Sequence, residues 1–78
     1  MIDFSELQEA LRRRGVVTYR AGFADRSRDI TLRFYRIHGP FSGYALHVTG
    51  AKNLDVTGTF ASIQAIAAAL IADAVSVA

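Results

Sequence analysis

The chain of 78 residues contains no cysteine. Disulfide bonds and thiolate metal sites are therefore excluded, and packing alone has to stabilise a domain of this small size. Charge is also scarce after residue 39, where Lys52, Asp55 and Asp73 are the only charged side chains. We expect one domain over residues 1–78, with no cofactor and no bound metal.

The chain has two histidines, His38 and His47, and neither is placed like a metal ligand. No acidic residue accompanies them at ligand spacing, so a zinc site is not expected. Ser27 and Ser42 do not lie in a nucleophile elbow, and no pair of carboxylates is arranged for acid–base catalysis. We therefore predict that the protein is not an enzyme. The remaining catalytic alternative is a small toxin-like ribonuclease that uses His38 or His47.

The segment from Phe60 to Ala78 is apolar on average, which raises the question of membrane insertion. Gln64 and Asp73 interrupt this segment, and an Asp at the centre of a bilayer would cost about 2.5–3.5 kcal/mol, which alanine offsets only slightly. The first residues of the chain lack the basic and apolar regions of a signal peptide. We therefore predict a cytoplasmic protein that does not bind membranes.

Residues 59–74 are predicted to form one helix, capped at its start by Thr59 or Ser62. Its large apolar residues recur along one stripe at helical spacing, which is typical of a helix that covers a sheet. The stripe consists of Ile63, Ile66, Ala67, Leu70, Ile71 and Ala74.

The opposite face of this helix is rich in alanine and is a candidate surface for self-association. Small side chains would allow two helices to approach closely in a homodimer, and the apolar tail 75–78 favours such an association. Alternatively, alanine is present because it is the best helix former and tolerates exposure. The candidate residues are Ala65, Ala68, Ala69 and Ala72.

A first helix is predicted after Asp3, which forms a capping box with Glu6, and Gly15 supplies the left-handed residue that ends it. All eight arginines precede residue 39, and residues 12–14 place three of them in the last turn of this helix, where they oppose the negative end of its dipole. Arginine suits bidentate contacts with phosphate or carboxylate, although a codon preference for arginine would give the same bias.

Four segments between the two helices alternate apolar and polar residues, as strands do. The segments are residues 16–21, 30–37, 44–49 and 54–57. Residues 22–29 form a polar connection between the first two, and we expect it to be mobile. Short links favour an antiparallel meander, and two amphipathic helices can cover its apolar face. The predicted fold is a two-layer α+β domain of order α-β-β-β-β-α, with a four-stranded antiparallel sheet and both helices on one face.

The other face of the predicted sheet carries arginine and tyrosine among threonines. Such a face could stack bases and hold phosphates, or it could anchor a protein interface. An ordinary solvated face is the alternative, because threonine and arginine are good strand residues and outward positions are normally polar. The candidate partner-binding residues are Arg20, Arg33, Tyr35 and His47 on the strands, with Arg26 and Arg28 in the connection before the second strand.

Residues 39–74 contain a characteristic order of predicted elements. They begin with a turn at Gly39-Pro40, which is followed by an alternating strand and a polar turn. A second strand then ends at Gly58-Thr59, and an alanine-rich helix begins at Ser62. This layout of residues 39–74 resembles the later two-thirds of a double-stranded-RNA-binding domain, and the resemblance implies RNA binding. That family places a histidine after the Gly-Pro turn and lysines at the start of the closing helix. This chain has Phe41-Ser42-Gly43 after the turn and no lysine in the closing helix, so both contact motifs are missing.

These observations favour a small binding protein that docks on a protein or nucleoprotein partner and acts sterically. In its small size and its expected steric mode of action, it resembles small inhibitors encoded by phages and mobile elements, anti-CRISPR proteins among them. The alternative is a nucleic-acid-binding module that uses the arginines and tyrosine of the sheet face, with an affinity that falls steeply as the salt concentration rises.

Overall fold

Within residues 1–40 and 42–78, the part of the chain that this computed structural model describes, five antiparallel strands form one layer and two helices form the other. Phe41, which follows the Gly39-Pro40 turn, lies outside the described residues. The elements in chain order are α1 (Phe4–Arg14), β1 (Val16–Gly22), a short 3-10 helix (Arg26–Arg28), β2 (Ile30–Ile37), β3 (Gly43–Gly50), β4 (Leu54–Gly58), α2 (Phe60–Leu70) and β5 (Ser76–Val77).

The strand order across the sheet is β4-β3-β2-β1-β5, so the first four strands form the predicted meander. The predicted α+β class and helix–strand order are confirmed, and the sheet has one short strand more than expected. Both helices contribute to a single core with the apolar side of the sheet. The fully buried side chains of that core include Leu7, Leu11, Leu32, Phe34, Leu46, Val48, Ile63 and Ile71.

The residues predicted to cap α1, Asp3 at its start and Gly15 at its end, are confirmed. The Asp3 carboxylate accepts hydrogen bonds from the backbone N–H groups of Ser5 and Glu6, at 3.0 and 3.1 Å. Gly15 adopts φ +83°, and its N–H donates to the Leu11 carbonyl. These bonds satisfy backbone groups that a helix end would otherwise leave without a partner.

The second helix begins as predicted but ends earlier. Thr59 is the cap, because its hydroxyl accepts from the Ser62 N–H at 3.1 Å, while the Ser62 hydroxyl donates to the Thr59 carbonyl. The prediction that the helix reaches residue 74 is wrong, since α2 ends at Leu70 and a turn follows. Ile71 nevertheless stays buried, so its place in the apolar stripe is confirmed.

The tail 75–78 forms the fifth strand instead of a free apolar end. The Val75 N–H donates to the Gly22 carbonyl, and Arg20 and Ala78 exchange two backbone hydrogen bonds. These bonds satisfy backbone groups on the edge of β1 that would otherwise face solvent. The apolar tail therefore pairs within the molecule, and its support for self-association is lost.

The connection 22–29, expected as a mobile polar loop, contains a hydrogen-bonded turn around Asp25. Its carboxylate accepts from both the hydroxyl and the N–H of Ser27, and these bonds hold the pKa of Asp25 below its usual value. The Asp29 carboxylate accepts from the Phe23 N–H, and the Phe23 side chain is only 5% exposed. The loop thus closes one end of the core.

Candidate docking surface

The side of the sheet opposite the helices, called the outer face below, carries two rows of side chains that cross four strands. Residues directly opposite each other in antiparallel strands have Cβ atoms about 4.5–5.5 Å apart, so each row is continuous. The first row is Thr18, Arg33, His47 and Asp55, and the second is Val16, Tyr35, Ala45 and Thr57. The core of the described residues includes no side chain from this face.

The two rows differ in character. The second row is the more apolar one, with Val16 43% exposed and Tyr35 partly buried. The first row is polar, and beyond it Arg20 lies opposite Thr31, which in turn lies opposite Thr49. The outer face therefore joins an aromatic and apolar end to a basic and polar end.

Arg33 lies at the centre of the outer face and is held there by two hydroxyl groups. Its Nε donates to Thr18 Oγ1 and one terminal guanidinium nitrogen donates to the Tyr35 hydroxyl, both at 3.4 Å. Both distances exceed the usual range for strong N–H···O bonds. These two weak hydrogen bonds orient the guanidinium and use only two of its N–H donors. Its other donors remain available to a partner.

The structure brings together four of the six predicted partner-binding residues. Arg20, Arg33, Tyr35 and His47 share the outer face, because alternate residues of a strand point to the same side. Arg26 and Arg28 are in the 3-10 helix between β1 and β2 and do not belong to either row. The position of Arg26 and Arg28 in the connection between the first two strands is the one that the sequence predicts.

Arg28 has a clear structural role on the helix side of the molecule. Its guanidinium carbon lies 4.7 Å from the centre of the Phe23 ring, and a terminal nitrogen lies 2.9 Å from the Asp73 carboxylate. These contacts join the 3-10 helix to the turn after α2. The single aromatic residue in an otherwise polar loop was the sequence signal for this packing.

Two further arginines also stabilise the fold. Arg36 donates to the Arg12 carbonyl at 3.2 Å, which satisfies a backbone acceptor in the last turn of α1. Arg12 pairs with Glu9 one turn earlier in α1, and this hydrogen bond holds the pKa of the Glu9 carboxyl below its usual value. The bias toward arginine thus has partly structural causes, and Arg20 and Arg33 remain as the cations of the outer face.

The alanine surface lies on the opposite side of the protein from the outer face. Ala65, Ala68, Ala69 and Ala72 are all exposed, and the buried side of α2 carries Ile63 and Ala67. The first three lie on the helix and Ala72 lies in the turn after it. A partner bound to one surface would leave the other free.

The two histidines are not brought together. His47 lies opposite Arg33 in the sheet, whereas His38 follows the end of β2, five residues beyond Arg33. At 3.3 Å per residue, this separation is roughly 16 Å along the strand direction. Among residues 1–40 and 42–78, no group of three His, Asp or Glu side chains is placed to bind a metal ion. In the same residues, no helix has the length and apolar character needed to cross a bilayer.

Comparison of this chain with protein-family models, with curated proteins and with solved structures finds no match. The interpretation of the outer face therefore depends on its own geometry and chemistry.

Proposed function

We propose that this protein is a non-enzymatic docking protein that binds a protein or nucleoprotein partner through its outer face and acts sterically. Small inhibitors encoded by phages and mobile elements, such as anti-CRISPR proteins, act in this general way. The observation that carries the proposal is the adjoining pair of Arg33 and Tyr35 at the centre of an uncovered sheet face.

Tyrosine and arginine are the side chains that most often dominate the binding energy of an interface, especially near its centre. Arg33 is already positioned by Thr18 and Tyr35, so less side-chain freedom is lost when a partner binds. Val16 and Ala45 flank Tyr35 in the same row and supply apolar contact area around it. The outer face thus has the composition of an interface centre with a polar border.

The size of the outer face indicates how strong the complex should be. β2 and β3 are eight residues long, and four neighbouring strands at about 4.8 Å spacing give a flat footprint of roughly 400–500 Å². A standard stable interface buries about 800 Å² on each partner. The outer face alone therefore suits a transient complex, and a tighter one requires the partner to reach the edges of the sheet.

The proposal is tested by recovering partners from the native host with affinity-tagged variants. We expect Tyr35→Ala and Arg33→Ala to lower the recovered partner by about 30-fold or more, as loss of a central contact of about 2 kcal/mol requires. Arg13→Ala is the matched control, because it removes the same charge from the helix side, where Arg13 lines a groove with Val17 and Tyr19. Equal recovery with all three variants, or no recovered partner even when transient complexes are captured by chemical cross-linking, would contradict the proposal.

Self-association through the alanine surface is a separate proposal, which can be tested with the purified protein. Replacing Ala65 and Ala72 by lysine would place two charges on that surface without touching the outer face. If the protein forms a homodimer there, the double variant elutes as a monomer in size-exclusion chromatography while the wild type does not. An unchanged elution volume rules out the alanine surface as a dimer contact.

A further inference from the structure

Three planar side chains lie next to one another on the outer face. Arg33 and Tyr35 are successive outward residues of β2, about 6.6 Å apart along the strand. His47 lies opposite Arg33 and diagonal to Tyr35, a spacing of about 7–8 Å. A phenol ring, an imidazole ring and a guanidinium plane therefore border one continuous patch.

These three groups are the kinds of side chain on which unpaired bases stack. Stacking of this kind needs the flat face of a base to be free, which is the case in a single strand and not inside a duplex. The hydroxyl contacts from Thr18 and Tyr35 keep the Arg33 guanidinium close to the sheet. The patch is therefore arranged as a platform for bases that are no longer stacked on each other.

The same face also offers positive charge beside the platform. Arg20 lies on β1 opposite Thr31, diagonal to Arg33 across the strand pair, so the two guanidinium groups border one path over β1 and β2. Among the described residues, no carboxylate lies within 4 Å of either guanidinium. Two cations along an extended path complement the phosphates of a nucleic-acid backbone.

Asp55 limits where such a backbone can lie. It is opposite His47 on β4, the edge strand of the sheet, and its carboxylate would repel phosphate. A single strand of nucleic acid would therefore lie over β1, β2 and β3 and avoid β4. An acidic protein surface would meet the same repulsion from Asp55, and it lacks the flat, unpaired bases that fit the stacking platform, so the geometry favours nucleic acid over an acidic protein.

We infer that the component of the partner that contacts the outer face is single-stranded nucleic acid, with bases on Tyr35 and His47 and phosphates beside Arg20 and Arg33. This inference rests on the proposed docking function and names the chemistry of its partner. With two phosphate contacts, the logarithm of the binding constant should fall with the logarithm of salt concentration with a slope of about −1.4. Binding is therefore weak for an isolated strand and depends mainly on stacking.

The test measures fluorescence anisotropy of labelled oligouridine and oligodeoxyuridine of about ten nucleotides, which differ only in the 2′-hydroxyl and have a length within the known site sizes of stacking proteins. A duplex of the same length is the third probe. We expect both single strands to bind more tightly than the duplex. Equal affinity for RNA and DNA indicates contacts with bases and phosphates alone, and a preference for RNA adds a contact with the 2′-hydroxyl.

Substitutions on the outer face separate stacking from charge. Tyr35→Ala and His47→Ala should each weaken binding by about tenfold, whereas Tyr35→Phe keeps the ring and should keep most of the affinity. Arg20→Ala should reduce the salt slope from about −1.4 to about −0.7. Asp55→Asn should tighten binding, because asparagine has nearly the size and shape of aspartate but does not carry the charge that repels phosphate.

Arg13→Ala is the control, since it removes one positive charge from α1 on the helix side, where Arg13 lines a groove with Val17 and Tyr19. It should leave affinity for the single strands within about twofold of the wild type, because a strand on the outer face does not contact that side of the sheet. If it weakens binding as much as Arg20→Ala, the interaction is a diffuse charge effect and the inference is wrong. Tighter binding of the duplex overturns it as well.

Failure of this inference can be distinguished from failure of the docking function. If no oligonucleotide binds at low salt, but nuclease-treated host extract still yields a partner that Tyr35→Ala loses, the partner is a protein and only this inference is overturned. If neither oligonucleotides nor a host partner bind, both proposals are overturned.

Discussion

Replacing Phe34 by alanine should lower the free energy of unfolding by about 3–5 kcal/mol. Phe34 is fully buried on the inner side of β2, and its ring meets the Tyr19 ring edge-on at 6.0 Å between centres. It lies opposite Val17 on one neighbouring strand and Leu46 on the other, so the lost volume is in the middle of the core. A domain of this length has a total stability of roughly 4–12 kcal/mol, so the variant is expected to be marginal or unfolded.

Urea denaturation followed by circular dichroism measures this loss, and Phe34→Leu gives a graded version that stays folded. Tyr35→Ala is the matched control, because Tyr35 is the next residue of the same strand and points to the outer face. We expect its cost to be less than half that of Phe34→Ala. Similar losses at the two positions would mean that the inner and outer faces of the sheet are assigned wrongly.

Replacing Gly50 by alanine should destabilise the protein by about 2–4 kcal/mol, the second-largest effect that we expect. Gly50 has φ +102°, a conformation that costs a residue with a side chain about 1–3 kcal/mol. An added Cβ would also lie 2.8 Å from the Asp29 carbonyl oxygen and 3.3 Å from the Ile30 Cα. Both are backbone atoms, so relieving the clash requires β2 and β3 to shift.

Gly15→Ala separates the backbone conformation from the clash. Gly15 also has a positive φ, of +83°, but nothing lies within 4 Å of its added Cβ. We therefore expect only about 1 kcal/mol of destabilisation there, from the backbone alone. Thermal unfolding of the two variants tests the difference, and equal shifts in Tm would show that contact with Asp29 and Ile30 does not matter.

The parts of the fold that the sequence predicts well are those decided by neighbouring residues. Asp3 and Gly15 have local chemistry that starts and stops a helix, and the structure confirms both roles. The alternation of Leu32, Arg33 and Phe34 fixes which side of the sheet each faces, because the period of a strand is two. The same alternation predicts that Arg33 and Tyr35 share the outer face, as they do in the structure.

The parts that the sequence does not predict depend on contacts between distant residues. Residues 71–74 continue the helical pattern of α2, but the helix stops at Leu70, and the residues that follow pair with β1, more than 50 positions earlier in the chain. The sequence of the loop 22–29 has no periodic pattern of apolar residues, so its path is not predicted either. Phe23 is buried there, and Arg28 contacts both the Phe23 ring and Asp73, which lies 45 positions away along the chain.

The central claim, that the outer face is where a partner binds, can be tested directly because the chain has no cysteine and one introduced thiol is a unique reporter. Thr49→Cys places it on the outer face and Ala68→Cys places it on the exposed side of α2, and both positions are exposed. The measurement is the rate of maleimide modification of each variant, alone and in complex with the recovered partner. Docking on the outer face predicts that the partner slows modification at position 49 and leaves position 68 unchanged. Protection at position 68 with none at position 49 would contradict the account.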